Sequence, residues 1–176
     1  MEKFFEGEEF SESEFRNGLS EAILEGTVVP LIAGSSEKEI GLTQLLEVIT
    51  KYMPSINDEA ANIGFRVKEG YEAFESNEDA PFSAVVFKTL ADPFVGKISI
   101  FKVLSGSVSK DDKIYDVTKG KELKVSNLFY LKGKEQIKAD KVIAGDIGAF
   151  TKLDDLSTGD SLATADNKIE YKKIKY

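Results

Sequence analysis

The 176-residue sequence contains no cysteine, histidine or tryptophan. Without His or Cys there is no His-dependent nucleophile triad, no thiol nucleophile, no zinc site of the usual ligand set and no disulfide framework. Any chemistry must therefore rest on carboxylates, Lys, Tyr, Ser or Thr. Long hydrophobic runs are missing too. The longest, Val28 to Ala33 and Ala84 to Phe87, fall far short of the ~20 residues that span a bilayer, so no membrane partner is expected. Met1 is followed by Glu2 and Lys3 rather than by the pattern of a signal peptide, and a cytoplasmic location is expected. Positive charge is in deficit: 23 Lys plus Arg stand against 31 Asp plus Glu, a net charge of −8. Long-range repulsion of phosphates disfavours generic binding to DNA or other nucleic acid.

What is present is the composition of an ordinary folded protein, 41% hydrophobic and 31% charged. The length suits one domain of average size or two small ones, and lets the chain bury roughly 70% of its unfolded surface. Charge is unevenly spread. Residues 1 to 25 hold eight acidic and two basic side chains, whereas residues 97 to 141 hold eleven Lys against six acidic residues. The Lys excess is either a solvated face of a β protein, where edge lysines block aggregation, or a phosphate-binding surface.

Residues 11 to 25 are expected to form a helix. Ser11 and Glu14 make a capping box, Phe10 and Phe15 occupy the N′ and N4 positions of a hydrophobic staple, and Gly26 supplies the stop. Phe15, Leu19, Ala22 and Ile23 form an apolar stripe that must pack on another element. Val28 to Ala33 has the continuous apolar character of a strand covered on both faces, with Pro30 favouring an edge or terminal position. It runs into Gly34-Ser35-Ser36. A second helix carries Leu42, Leu45, Leu46, Ile49, Tyr52 and Met53 on one side and ends at Pro54.

Residues 55 to 80 change character, with seven acidic and two basic residues, and are expected to be a linker or solvent-exposed excursion in which Phe65 and Val67 form one brief strand. From Pro81 onward helical periodicity gives way to β-branched and aromatic runs between turn signals. Strands are expected over Phe82 to Leu90, Lys97 to Leu104, Lys113 to Val117, Leu123 to Leu131 and Ile147 to Leu153, a spacing that suggests a small antiparallel barrel. Within Lys97 to Leu104 the apolar parity switches between Ile100 and Phe101. Either a bulge lies there or both faces are covered. Ile169 to Tyr176 is a final strand or a tail.

Asp111-Asp112 and Asp154-Asp155 are paired carboxylates, but neighbours on an extended chain point to opposite faces and both pairs sit where turns are expected, so neither is spaced for acid and base work. No EF-hand pattern, Walker-type phosphate loop or dinucleotide fingerprint is present. Gly34-Ser35-Ser36, a strand end of small residues before a helix, is either a ligand-facing loop of backbone N–H groups or a turn that merely needs small residues.

The order of these features adds to the reading. The segment from Met1-Glu-Lys-Phe-Phe-Glu-Gly-Glu-Glu-Phe10 through Val29-Pro-Leu-Ile-Ala-Gly-Ser-Ser36 to Leu45-Leu-Glu-Val-Ile-Thr-Lys-Tyr-Met-Pro54 resembles the end of the GTPase domain of elongation factor G. Asp92-Pro-Phe-Val-Gly-Lys97, Ser105-Gly106, Thr118-Lys-Gly120, Ala144-Gly-Asp146 and Thr158-Gly-Asp-Ser-Leu162 resemble the second domain of the same factor, in the same order, and the likeness covers nearly the whole chain.

The resemblance implies a fragment: residues 1–54 as the C-terminal part of a P-loop GTPase domain in a helix-strand-helix arrangement, 55–80 as a linker, 81–165 as a small antiparallel β-barrel, and 166–176 as a tail or the start of the next connection. In that family the phosphate loop, the magnesium and switch elements and the Asn-Lys-x-Asp guanine motif all come before the equivalent of Met1. The resemblance therefore implies that GTP or GDP and magnesium belong to a full-length parent GTPase, with no cofactor and no catalytic or metal-binding residue in these 176 residues. Gly34, Ser35 and Ser36 align with the last guanine-contacting loop, usually Gly-Ser-Ala, which works mainly through its backbone. Val125 to Gln136 lacks the His that ordinary elongation factor G carries there, and Lys132-Gly-Lys-Glu-Gln136 is similar to the elongation-factor-G-like paralogues.

As partners the resemblance implies small-subunit ribosomal RNA, reached through the parent protein, together with the GTPase and C-terminal domains of that parent. Asp92, Pro93, Phe94, Gly96 and Lys97 would meet the nucleotide domain. Lys119, Lys121, Lys132 and Lys134, in expected loops, would neutralise phosphates without reading sequence. Two rivals have other features in view. A ribosomal-protection factor of the tetracycline-resistance type shares the architecture, and a stand-alone barrel binding single-stranded nucleic acid would need exposed aromatics, for which Phe129 and Tyr130 are the candidates.

Overall fold

The computed structural model describes residues 5, 7–53, 55, 67–72 and 75–173, and the chain forms two units, Met1–Ala61 and Asn62–Tyr176. In the first, helix α1 spans Glu12–Leu24 and helix α2 spans Leu42–Tyr52. The capping box opens α1 as the sequence predicts: the Glu14 amide donates to Ser11 Oγ at 3.3 Å, and the Ser11 amide donates back to Glu14 Oε2 at 3.0 Å. Two orphan donors of the first turn are thereby satisfied. Gly26, at φ +73, takes the left-handed conformation that ends the helix. Phe10 and Phe15 nevertheless remain largely exposed, and neither helix buries a residue fully.

The strand expected over Val28 to Ala33 is absent. The segment is irregular, Val29 is 83% and Leu31 98% exposed, and Val28 N–H turns back to the Ala22 carbonyl of α1 at 3.1 Å, with no ladder beside the segment among the described residues. A strand exists only with a neighbour to share its ladder, and the first unit supplies none among the described residues. The next residues are more ordered. Ser35 and Ile40 exchange two backbone hydrogen bonds, of 2.9 and 3.0 Å, that close a small loop, and α2 follows at once with Gly41 as its cap at φ +80. A Cβ on Gly34 would stand 2.7 Å from the Ile40 carbonyl, and one on Gly41 2.7 Å from that of Ala33. Only two glycines let these backbones meet.

The second unit is antiparallel β: β1 (Ser83–Asp92), β2 (Gly96–Ser105), β3 (Ser107–Ser109), β4 (Lys113–Asp116), β5 (Lys121–Lys124), β6 (Asn127–Lys132), β7 (Glu135–Lys138), β8 (Lys141–Ile143), β9 (Ile147–Thr151) and β10 (Ser161–Ala163). Eight strands form one sheet in the order β5-β4-β10-β1-β2-β9-β6-β7, while β3 and β8 pair separately. Val86, Phe101, Val108, Ile114, Leu123, Leu128, Val142, Phe150 and Leu162, drawn from nine of the ten strands, share one buried interior. The sheet therefore wraps around a single core, as a small barrel does. Phe101 and Phe150 stack at its centre, ring centroids 4.0 Å apart.

The parity switch in β2 has both of the causes weighed from the sequence. Phe101 and Val103 face the barrel interior, whereas Ile98 and Ile100 pack with Ala149 in a separate cluster, so both faces are covered. A bulge is also present, on the partner strand: Val86 pairs with Phe101 and Lys88 with Ile100, leaving Phe87 as the extra residue. The strand expected over Leu123 to Leu131 is two strands, β5 and β6. Val125 and Ser126 interrupt it, and Val125 donates to the Asp112 carbonyl at 2.9 Å and accepts from Asp111 N–H at 2.8 Å. Phe65, paired in the expectation with Val67, lies outside the described residues, as do Pro54 and 174–176. Val67 forms a single antiparallel bridge with Tyr171, so among the described residues the C-terminal stretch contributes one bridge and no strand.

Candidate functional site

The β1–β2 turn carries the junction residues. Asp92 Oδ1 accepts the amides of Phe94 and Val95, both at 2.9 Å, and Gly96 turns the chain back at φ +80. These two amides hold the Asp92 carboxyl below the usual carboxylate range. The turn is rigid, and it lifts Phe94 into solvent with 94% of its surface exposed beside exposed Pro93. Lys97 leans the other way, its Nζ donating to the Asp154 carbonyl at 3.0 Å.

That contact is the first of three on one loop, residues 153–160 between β9 and β10. Lys119 donates to Asp160 Oδ2, to the Asp155 carbonyl and, at 3.0 Å, to Ser157 Oγ, while Lys121 pairs with the Asp155 carboxylate. Three lysines singled out from the sequence as contacts with other domains or RNA thus tie down a loop of their own barrel. Asp155, at the surface, is held below its usual carboxylate range by Lys121. Lys132, which ends β6, and Lys134, in the β6–β7 turn, sit elsewhere, exposed and without a carboxylate partner among the described residues.

Two buried carboxylates at this loop escaped the sequence reading. Asp116 and Asp160 are each 1% exposed. Asp160 Oδ2 accepts from Ser157 N–H at 2.6 Å and from Lys119. Asp116 Oδ1 accepts from Lys119 N–H at 3.0 Å, but its Oδ2 makes no hydrogen bond and lies 3.9 Å from Lys119 Nζ. Burial pushes the Asp116 carboxyl up, against the pull of its amide hydrogen bond, and the neighbouring Asp160 adds to the rise. The signal available in the sequence was the Thr158-Gly159-Asp160 turn; nothing there marked Asp116.

A partly buried polar contact involves Tyr130, whose OH donates to Asp146 Oδ2 at 2.8 Å. Burial, then this bond, raise the phenol to about 12. The ring packs on the barrel core, while Phe129 is half-buried on the strand's other side, so the pair offers no joint stacking platform.

In the first unit, Ser35 N–H is committed to the Ile40 carbonyl and Ser35 Oγ accepts the Lys38 amide at 3.3 Å. Ser36 N–H has no partner among the described residues and faces an exposed turn. The Gly34-Ser35-Ser36 loop can therefore offer the Gly34 and Ser36 amides and the Ser36 hydroxyl to a base edge. Among the described residues no group of acidic side chains is placed to hold a metal ion.

Comparison with known proteins decides among the readings of this geometry. Residues 81–165 match the family model described as elongation factor G domain 2. The whole chain aligns at 34% identity with elongation factor G of Thermotoga maritima and, equally, with those of Thermotoga petrophila and Thermotoga sp. strain RQ2. The chain belongs to the elongation factor G family. It spans 26% of the length of those relatives. A crystal structure of a protein from Thermus thermophilus superposes with a TM-score of 0.70 at 26% identity, over 93% of this chain and 22% of that one. The turn Asp92–Lys97, the Ala144-Gly-Asp146 contact with Tyr130 and the Thr158-Gly-Asp160 loop all lie within the matched residues 81–165.

Proposed function

We propose that this chain works inside a longer elongation-factor-G-like GTPase as the element that couples the nucleotide domain to the ribosome, and that it hydrolyses no nucleotide by itself. The observation that carries the reading is the sorting of the lysines. Lys97, Lys119 and Lys121 hold the 153–160 loop, whereas Lys132 and Lys134 project from a short turn of a rigid barrel with no internal partner among the described residues. Charges so displayed neutralise phosphates without reading bases, which suits small-subunit ribosomal RNA. In the parent, GTP or GDP with magnesium would be held largely by segments that this chain does not contain, and Gly34, Ser35 and Ser36 would add one edge contact to the guanine. The exposed apolar residues Val29, Leu31, Leu45, Leu46 and Ile49 of the first unit would pack against the remainder of that nucleotide domain. Phe94 and its turn would meet the same domain. The Lys132-Gly-Lys-Glu-Gln136 turn supports a paralogue within the family.

The test is cosedimentation of the intact parent with small ribosomal subunits across a salt series, with and without Lys132→Glu plus Lys134→Glu. Each lost phosphate contact should reduce the slope of log affinity against log salt by on the order of one. An unchanged slope in the double variant would overturn the lysine assignment.

A further inference from the structure

The barrel carries a second apolar cluster on its outside, and two separate stretches of chain cover it. Val85, Leu104 and Ala163 belong to the sheet, Ile169 and Tyr171 to the C-terminal stretch, and Val67 and Tyr71 to the linker, half-buried against them. The two covering stretches also bond to each other: Val67 bridges Tyr171, Lys68 N–H donates to the Glu170 carbonyl at 2.8 Å, and Lys68 Nζ meets Glu170 Oε2 at 2.7 Å.

Of these two stretches, among the described residues, the C-terminal one alone is anchored to the sheet by buried polar bonds. Tyr171 N–H donates to Ser161 Oγ at 2.9 Å, and Tyr171 OH lies 2.7 Å from Ser83 Oγ, itself 2.6 Å from Ser105 Oγ, which donates to the Pro81 carbonyl at 2.8 Å. Each hydroxyl has one proton to give. Because Ser105 gives its proton to Pro81, it must accept from Ser83, and Ser83 must accept from Tyr171. The chain of donors therefore runs in one direction, from the C-terminal stretch into the barrel.

We propose that these stretches form a conformational relay: docking of residues 169–173 on the barrel is what fixes residues 67–72 of the linker, so that release of one frees the other. Among the described residues, 67–72 make no hydrogen bond to the sheet and touch it by apolar contact, and their backbone donor Lys68 N–H points at the C-terminal stretch; the linker's own backbone bond to the barrel comes later, where the Asn77 carbonyl accepts from Gly106 N–H at 2.7 Å. A disturbance at the C-terminal stretch thus reaches the connection to the first unit without passing through the barrel interior. The inference goes beyond RNA contact or nucleotide binding and needs neither.

Amide hydrogen exchange on the 176-residue chain tests it. Tyr171→Phe removes the one hydroxyl that starts the donor chain. Exchange at Lys68 N–H should accelerate about 5- to 30-fold, the loss expected for one buried hydrogen bond, while Val86 and Val103 N–H in the sheet keep their protection. Val67→Ala, which trims the linker contact without touching the hydroxyls, should in turn speed exchange at Tyr171 N–H several-fold. Unchanged Lys68 exchange in the first variant, or equal acceleration across the sheet, would overturn the relay, as would an unaltered Tyr171 amide in the second.

Discussion

Asp116 shows what a single residue contributes here. Its Oδ1 caps the turn through Lys119 N–H, but its unpaired, buried Oδ2 makes the ionised form costly to bury. A carboxyl whose folded pKa is raised holds its proton more tightly in the folded state. Its stabilising contribution is therefore complete below the unfolded value near 3.9 and declines as pH rises through the folded value. Asp116→Asn keeps the capping oxygen and removes the titration. Urea unfolding of both proteins should show the wild type gaining stability relative to the variant as pH falls from 7 toward 4. A difference that stays flat with pH, or grows in the opposite sense, would count against this account.

At the scale of elements, the 153–160 loop is held at its far end by two backbone bonds with β1, Gly159 N–H to the Val86 carbonyl at 2.7 Å and Val86 N–H to the Asp160 carbonyl at 3.0 Å, and along the rest of its length by lysine side chains reaching from elsewhere in the barrel. Lys119→Met retains most of the stem but leaves buried Asp160 only the distant cation of Lys173, 4.0 Å from its Oδ1, so the loss falls below the about 3–5 kcal/mol of a fully buried pair deprived of one partner. We expect a lowered melting temperature, together with lost amide protection at Gly159 and Asp160 ahead of the sheet. The sequence told this only in part. The capping box of α1, the runs of β1, β2, β4 and β9 and the switch of parity at Ile100 were legible because they rest on local pattern. The short strands β3, β7, β8 and β10, of three or four residues each, were not, since so few positions carry no period. Val28 to Ala33 misled for the opposite reason: its composition suits a buried strand, but pairing is a property of a neighbour. Among the site residues, turn positions could be placed from Gly and Asp signals, whereas the destination of a lysine depends on which distant loop lies within its reach. Lys119 and Lys132 look alike in sequence and differ entirely in surroundings.

For the molecule as a whole, the two units have different standing. The second encloses its own core; the first, among its described residues, leaves the apolar sides of both its helices largely uncovered and offers a nucleotide two loop amides and a hydroxyl. Calorimetric titration of GTP or GDP into this chain should accordingly give no saturable heat. Micromolar binding would mean that the Gly34-Ser35-Ser36 loop carries far more of the recognition than its geometry suggests.

The bulge at Phe87 makes the β1–β2 hairpin unequally tolerant of changes in length. Loss of Phe87 would leave Val86 opposite Phe101 and Lys88 opposite Ile100, an unbroken ladder with every side chain still on its own side. Loss of Thr89 would instead bring Lys88 opposite Ser99 and turn its ammonium toward Phe101 and Val103. Natural or engineered shortening of this hairpin should therefore be sought at one position, where the strand holds a residue in reserve.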